Sequence, residues 1–447
     1  MDTLLSARAL MGLSLAFHTF FTPLGIGLPL LLCIAEGLGL WRKDNRYREL
    51  ARAWAPVVGL LFAVGAVSGT VLSFELGLLW PRFMEEAGGI IGMPFSLEGF
   101  AFFTEAIFLA VYIYGWDRLA PTVHWLASVP LALSAALSAV FVISANAWMN
   151  APDGFRVVDG QIVDVNPWDA MANAAWAHQA LHGTLASYVV TGFAVAGAYA
   201  WLTWRRKPVL HPRLAIDVAM AMAAVAIVLQ IVTGDFAARR VAELQPAKFA
   251  AMEGQYETQA GAPLRIGGIP RDGEVRYAIE IPKGLSILTY RDPDAVVVGL
   301  NEIPEEDRPN ELLTHLFFQL MVGSGFAMLG IALWYWFLRW RRRLAWPLRT
   351  PLRSALIVAG FLSFFALQAG WFVTEFGRQP WVIYGYLRTA DAVTAREGID
   401  AIFILFTAIY VVVSVGLVVA LLRWPHGRRG DHAPAFPGGA REAADVP

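Results

Sequence analysis

The chain has 447 residues, 57% hydrophobic and 16% charged, with a mean hydropathy of +0.51; a soluble domain averages roughly 45–50% apolar and about 25% charged. A soluble globular protein is therefore excluded, and a net charge of −1 excludes the broad basic field that nucleic acid requires. The single cysteine, Cys33, excludes an intrachain disulfide and a thiolate metal cluster, so any metal centre falls to His, Met or carboxylate ligands.

A bilayer core takes about 20 apolar residues per helix. Stretches 10–40, 54–80, 95–116, 123–149, 178–204, 214–234, 312–339, 354–376 and 400–422 meet that length. They predict an all-α integral membrane protein of about nine transmembrane helices. The first run is too long for a signal-peptide core and lacks a clear cleavage site, so it is read as a span.

Orientation follows from Lys and Arg in the short connections. Cations crowd the connection after the first span (Arg42, Lys43, Arg46, Arg48, Arg52) and after the fifth (Arg205, Arg206, Lys207, Arg213). They also crowd the connection after the seventh span (Arg339, Arg341, Arg342, Arg343, Arg349, Arg353) and the tail (Arg423, Arg428, Arg429). The alternation predicts an N-terminus outside and a C-terminus in the cytoplasm. Residues 1–234 then hold helices one to six, and 311–424 hold helices seven to nine. Residues 235–310 are polar and rich in Gly and Pro, with alternating runs such as Arg276 to Ile281, and are predicted to form an ordered extracytoplasmic loop. Residues 425–447 are predicted to be a disordered cytoplasmic tail.

Ionisable and soft side chains inside these spans are the functional candidates. His18 lies in the first turns of the first predicted span. His178 and His182 lie four residues apart at the start of the fifth, on one helix face. Met321 lies two to three turns into the seventh, where a lone Met is most commonly core packing. Glu375 lies near the end of the eighth, with Arg378 three residues on. By the predicted topology His18, His182, Met321 and Glu375 share the outer half of the bilayer, a plausible set of axial ligands for more than one heme. Glu98 and Glu105, at the start of the third span, are seven residues or about two turns apart, so both point the same way. Lys248 and Glu253 sit on a short amphipathic stretch of the outside loop, where a solvated surface pair is the simplest expectation.

The sequence from Trp371 to Trp381, with the preceding Gly370, reads GWFVTEFGRQPW. It resembles the signature of the large subunit of cytochrome bd-type quinol oxidases. The resemblance extends through Ala16-Phe-His18, Leu97 to Glu105, Gly115 to Arg118, Ala145 to Met149, Ser187 to Gly192 and Gly234-Asp235, in order along most of the chain. It implies His182 and Met321 as the axial pair of a low-spin heme b. It implies His18 and Glu375 as single ligands of two high-spin hemes, one a heme b and the other heme d or a further heme b, with Trp371 beside them. Glu98 and Glu105 would belong to the proton route from the cytoplasm, Lys248 and Glu253 to the quinol site, and Arg378 to Glu375 or a heme propionate.

By the same resemblance the chain is the heme-bearing subunit I of a quinol:O2 oxidoreductase in a bacterial inner membrane. Its partners would be a smaller membrane subunit II, small single-span subunits, ubiquinol or menaquinol, and O2. Its outside loop is of the short type that includes cyanide-insensitive oxidases. One position departs from the pattern: Gln319 stands where the family often carries an Arg two residues before the axial Met. A membrane b-cytochrome that only passes electrons, or a proton or solute transporter, are the rival readings.

Overall fold

The computed structural model describes residues 2–423. Among them, nine helices are long and apolar enough to cross a membrane. In chain order they are Thr3–Arg42, Asn45–Leu79, Pro81–Tyr114, Pro121–Asn150, Trp176–Trp204, Pro212–Leu244, Glu311–Trp340, Thr350–Arg378 and Ile399–Arg423, called spans one to nine. The predicted tail, 425–447, lies outside the described residues.

Spans one to four pack as two antiparallel pairs, and spans five, six, seven and eight form a second layer against them. Buried Leu31, Leu50, Val58 and Leu131 knit the first group. Phe193, Met220, Met328 and Leu356 knit the second. Small residues set the closest approaches, as expected where lipid removes the hydrophobic drive between helices. A Cβ on Gly27 would lie 2.0 Å from Thr191 Oγ1, and one on Gly197 would lie 2.8 Å from Leu356 O. Spans one, five and eight can therefore meet backbone to backbone. Outward faces carry exposed Phe74, Phe100, Phe361 and Val412, which suit lipid or a membrane partner.

The cation-rich connections gather at one end. His211 Nε2 lies 2.7 Å from Glu49, and Arg353 stacks 5.8 Å from the Trp204 ring. The long connections gather at the other end. There Tyr384 N donates to Met149 O at 2.9 Å, and Arg388 pairs with Asp307 at 2.6 Å. The long loop between spans six and seven is ordered: strands 264–266 and 279–281 pair antiparallel, as do 269–271 with 274–276 and 259–260 with 296–297. Tyr277, at φ 64°, breaks the alternating run into two separate strands.

Three boundaries differ from the sequence expectation, and each moves a candidate. Span three starts at Pro81, so Glu98 and Glu105 sit at mid-helix and not at its start; Arg82, Glu85 and Glu86 had lowered the local hydropathy. Span one starts at Thr3, which places His18 about four turns in. Span six continues through the polar residues 235–244 to Leu244, so the outside loop begins ten residues later than its composition suggests.

Candidate functional site

The bundle holds a cavity of about 2140 Å³, mostly apolar in lining. A drug-sized ligand occupies roughly 300–1,000 Å³, so this space suits several large groups. His18, His182, Met321 and Glu375 all open into it, and so do Glu98, Glu105, Trp371, Arg378, Lys248 and Glu253. These residues, from five spans and the loop, thus converge on one space.

His18 comes from span one. Its Nδ1 lies 2.8 Å from Ser68 Oγ on span two. Ser68 spends its only hydrogen on Val64 O at 2.8 Å, so it accepts from His18 Nδ1–H. That fixes the tautomer and leaves a lone pair on Nε2, the form a metal requires. His182, on span five, follows the same logic. Thr233 Oγ1 donates to Gln230 O at 3.1 Å and stands 3.3 Å from His182 Nδ1. Gln230 Nε2 lies 2.9 Å from His182 Nε2, which therefore accepts. Gly234 of span six sits beside the ring; a Cβ there would approach Cε1 to 3.3 Å. Met321 of span seven rests its sulfur on span eight, where a Cβ on Gly370 would lie 3.1 Å from Sδ.

At the end of span eight the helix persists through Gly377. Arg378 Nη2 consequently reaches Glu375 Oε2 at 2.5 Å, while Asn146 Nδ2 donates to Oε1 at 2.8 Å. Glu375 and Arg378, three residues apart on one helix, thus form an ion pair. It does not exhaust the carboxylate, which has about four lone-pair sites. Arg378 is 3% exposed, yet its Nε and Nη1 find no acceptor in the protein. Both nitrogens of buried His178 are likewise orphaned. Buried donors are rarely left unpaired. These vacant donors beside His18, His182, Met321 and Glu375 fit the propionate-bearing edge of a heme, and the apolar cavity fits its faces.

Glu98 and Glu105 line the cavity on one face of span three, with Ser138 Oγ donating to Glu98 Oε1 at 3.0 Å. Lys248 and Glu253 are not a solvated surface pair. They occupy the helix Pro246–Glu253, in which every residue from Ala247 on is buried. Neighbouring groups clamp it from several sides: His315 of span seven bonds Met252 O at 2.8 Å, and Tyr256 bonds Glu311 at 2.7 Å. Lys248 Nζ donates to Asn150 Oδ1 at 2.6 Å and Gln245 Oε1 at 2.7 Å. Burial holds its amine well below the ordinary lysine range; nearby Arg378 adds to the effect and Glu375 opposes it. Burial likewise lifts the Glu253 carboxyl to about 8, against the pull of Arg265. Gln319 accepts from Gly267 N at 3.0 Å and donates to Arg265 O at 3.2 Å, pinning the loop over span seven.

Sequence reasoning missed Asn146, Asn150, Gln230 and Ser68 as parts of the site, and it noted His178 without giving it a role. The His178–His182 spacing was the one signal available. It also missed Glu75 of span two, 4% exposed and bonded by Ser14 at 2.8 Å. Arg8 of span one opens into the cavity without a carboxylate partner among the described residues.

The chain is similar over most of its length to cytochrome bd oxidase subunits. It is 36% identical to the Bacillus subtilis (strain 168) protein named "Putative cytochrome bd menaquinol oxidase subunit I", over 94% of this chain and 96% of that protein. It is 30% identical to the cytochrome bd ubiquinol oxidase subunit 1 of the same organism, over 95% and 93% of the two chains. A solved structure, that of bd oxidase from Geobacillus thermodenitrificans, superposes with a TM-score of 0.90 at 39% identity, covering 95% of this chain and 98% of that one. Residues 6–427 match the family model of cytochrome bd terminal oxidase subunit I, and the chain belongs to that family.

Proposed function

We propose that this cavity is the redox centre of a quinol oxidase and that its residues divide into three tasks. The observation that carries the proposal is the convergence of His18, His182, Met321, Glu375, Lys248 and Glu253 on one cavity. Membership of the family makes the chain a heme-bearing subunit of a terminal quinol oxidase that works with a subunit II, and it does not favour a transporter or a purely electron-passing cytochrome.

The first task is holding iron. His182 and Met321 would together hold a low-spin heme b, and His182 Nε2, now facing Gln230 Nε2, is the nitrogen that would serve. His18 and Glu375 would each hold one high-spin heme, a heme b and either heme d or a second heme b. When bound, these hemes supply electron transfer and, at singly ligated iron, a free face for O2. A carboxylate is a hard anionic ligand, and Arg378 and Asn146 fix its orientation. Trp371 lines the same cavity four residues before Glu375.

The second task is quinol oxidation at the loop. Glu253 would accept a proton from a quinol hydroxyl, and Lys248 would bind the oxygen that gains charge. The quinol is ubiquinol or menaquinol. The third task is proton delivery. Glu98 and Glu105, stacked about 10 Å apart along span three, would carry protons toward the cavity from the cation-rich end. With the N-terminus and loop outside a bacterial inner membrane, quinol protons leave outside and consumed protons come from within. That charges the membrane without a pump.

Quinol-dependent O2 uptake by the complex with subunit II tests the division of labour. Lys248→Ala should slow quinol oxidation and leave heme reduction by dithionite intact. Equal slowing with quinol and with an artificial donor would remove the loop from the quinol site.

A further inference from the structure

Two asparagines stand at the end of span four: Asn146, already met as a partner of Glu375, and Asn150, which has no part in the functions proposed above. Asn150 is 1% exposed, and Asn146, one turn earlier, lines the cavity. Together they join Lys248 to Glu375 by an unbroken series of side-chain hydrogen bonds. Lys248 Nζ donates to Asn150 Oδ1 at 2.6 Å, Asn150 Nδ2 donates to Asn146 Oδ1 at 3.0 Å, and Asn146 Nδ2 donates to Glu375 Oε1 at 2.8 Å. Asn150 Nδ2 also reaches Asn146 O at 2.9 Å.

The direction of every link is determined. The Glu375 carboxylate, paired with Arg378, accepts only, so Asn146 must present its amide nitrogen to it. That turns Asn146 Oδ1 toward Asn150, which must then donate. Asn150 Oδ1 is left facing Lys248, which donates in turn. Turning over either amide would set two acceptors or two donors against each other. Steric contact reinforces the arrangement: a Cβ on Gly377 would lie 2.7 Å from Lys248 Cγ, so the lysine stem lies along the last turn of span eight.

We infer that Asn146 and Asn150 are positioning residues that hold Lys248 and Glu375 as one polar unit, through which a quinol oxygen bound at Lys248 alters the environment of Glu375. The inference rests on the assignment of Lys248 to quinol and Glu375 to iron. Amides do not pass protons without tautomerising, so the ladder carries orientation and polarisation. Aligned hydrogen bonds in a low-dielectric interior polarise one another. A quinol oxygen that accepts from Lys248 competes with Asn150 Oδ1, and the release is felt two links away at Glu375 Oε1.

The test uses the reduced holoenzyme with its subunit II and an alkyl-4-hydroxyquinoline N-oxide as a quinol analogue that is not oxidised. Three preparations are compared: wild type, Asn150→Leu, and Asn150→Asp. The Asp variant keeps an acceptor for Lys248 and loses only the donor to Asn146. The readouts are the high-spin heme absorption difference on adding the analogue, the analogue's inhibition constant, and heme per protein. Wild type should show a shift in the high-spin bands. Both variants should lose that shift while Asn150→Asp retains analogue affinity within about threefold; Asn150→Leu, losing one bond to an amine, should weaken it about tenfold. A shift that survives in Asn150→Asp, or is absent from wild type, overturns the inference. Unchanged analogue affinity in Lys248→Ala, or full heme in Glu375→Gln, would instead identify the underlying assignment as the failure, and the inference would fall with it.

Discussion

Glu253 gives the sharpest prediction. It is 2% exposed, and its Oε2 has no partner in the protein. Burial raises its carboxyl to about 8. As a proton acceptor it works only when ionised. At pH 7 about a tenth of the carboxyl is ionised, and at pH 8 about half, so quinol kcat/KM should rise about fivefold between them and level off above pH 9. Glu253→Gln cannot ionise and should show a low, flat profile. The assay is quinol-dependent O2 uptake between pH 6 and 9.5, run beside an artificial donor that enters at the hemes and bypasses the loop. The donor control removes any pH effect of proton uptake at the O2-reducing end. An identical rise in Glu253→Gln, or in the donor control, would refute the assignment. A stability consequence follows with its sign. A carboxyl raised above its ordinary 4.5 favours folding fully at pH below that value, and this is lost as pH rises toward about 8. The Gln variant should therefore resist loop proteolysis better than wild type at pH 9 and equally at pH 4.5.

The other predictions concern iron and protons. Met321→Leu, close in volume, should insert normally and lose the low-spin spectrum; an unchanged spectrum would return Met321 to core packing. Glu375→Gln should lose or reshape one high-spin heme and Glu375→Asp should keep part of it, whereas full heme in the Gln variant would leave Glu375 as the partner of Arg378 alone. Arg378→Ala, which strips a 3% exposed cation from a carboxylate, should cost about 3–5 kcal/mol of local stability, seen as a lower midpoint in thermal loss of heme absorbance. Glu105→Gln should slow O2 reduction by any donor at least tenfold with the hemes retained; unaltered turnover would make this carboxyl a structural one.

The spans were legible because a membrane helix declares itself by apolar length. The errors fell where helix and lipid part company. Span six runs on to Leu244 through Asp235, Arg239 and Arg240, where hydropathy gives no signal; Asp235 pairs with Arg239 at 2.7 Å within that extension and with Arg291 of the loop at 2.9 Å. Span three begins fourteen residues before its apolar core, and Pro81 at its first position was the overlooked start signal. Among the site residues, Glu375 and Arg378 could be paired from their spacing of three on one helix. Burial of Lys248 and Glu253 could not be read, because it is imposed by partners distant in sequence. The bond from Lys248 to Asn150 crosses 98 positions, and that from Asn146 to Glu375 crosses 229. Gln319 shows the same limit: as a residue it marks a missing cation, and only the fold reveals it as the clasp on the loop.

The most direct measurement is a reduced-minus-oxidised absorption spectrum of the purified complex, taken with and without carbon monoxide. On the proposed assignment, iron held by both His182 and Met321 would have no free position, and iron held by His18 or Glu375 alone would have one. The account predicts low-spin heme b bands unmoved by carbon monoxide together with high-spin bands that shift on its addition. A spectrum in which carbon monoxide moves nothing, or in which no heme is present, would contradict it.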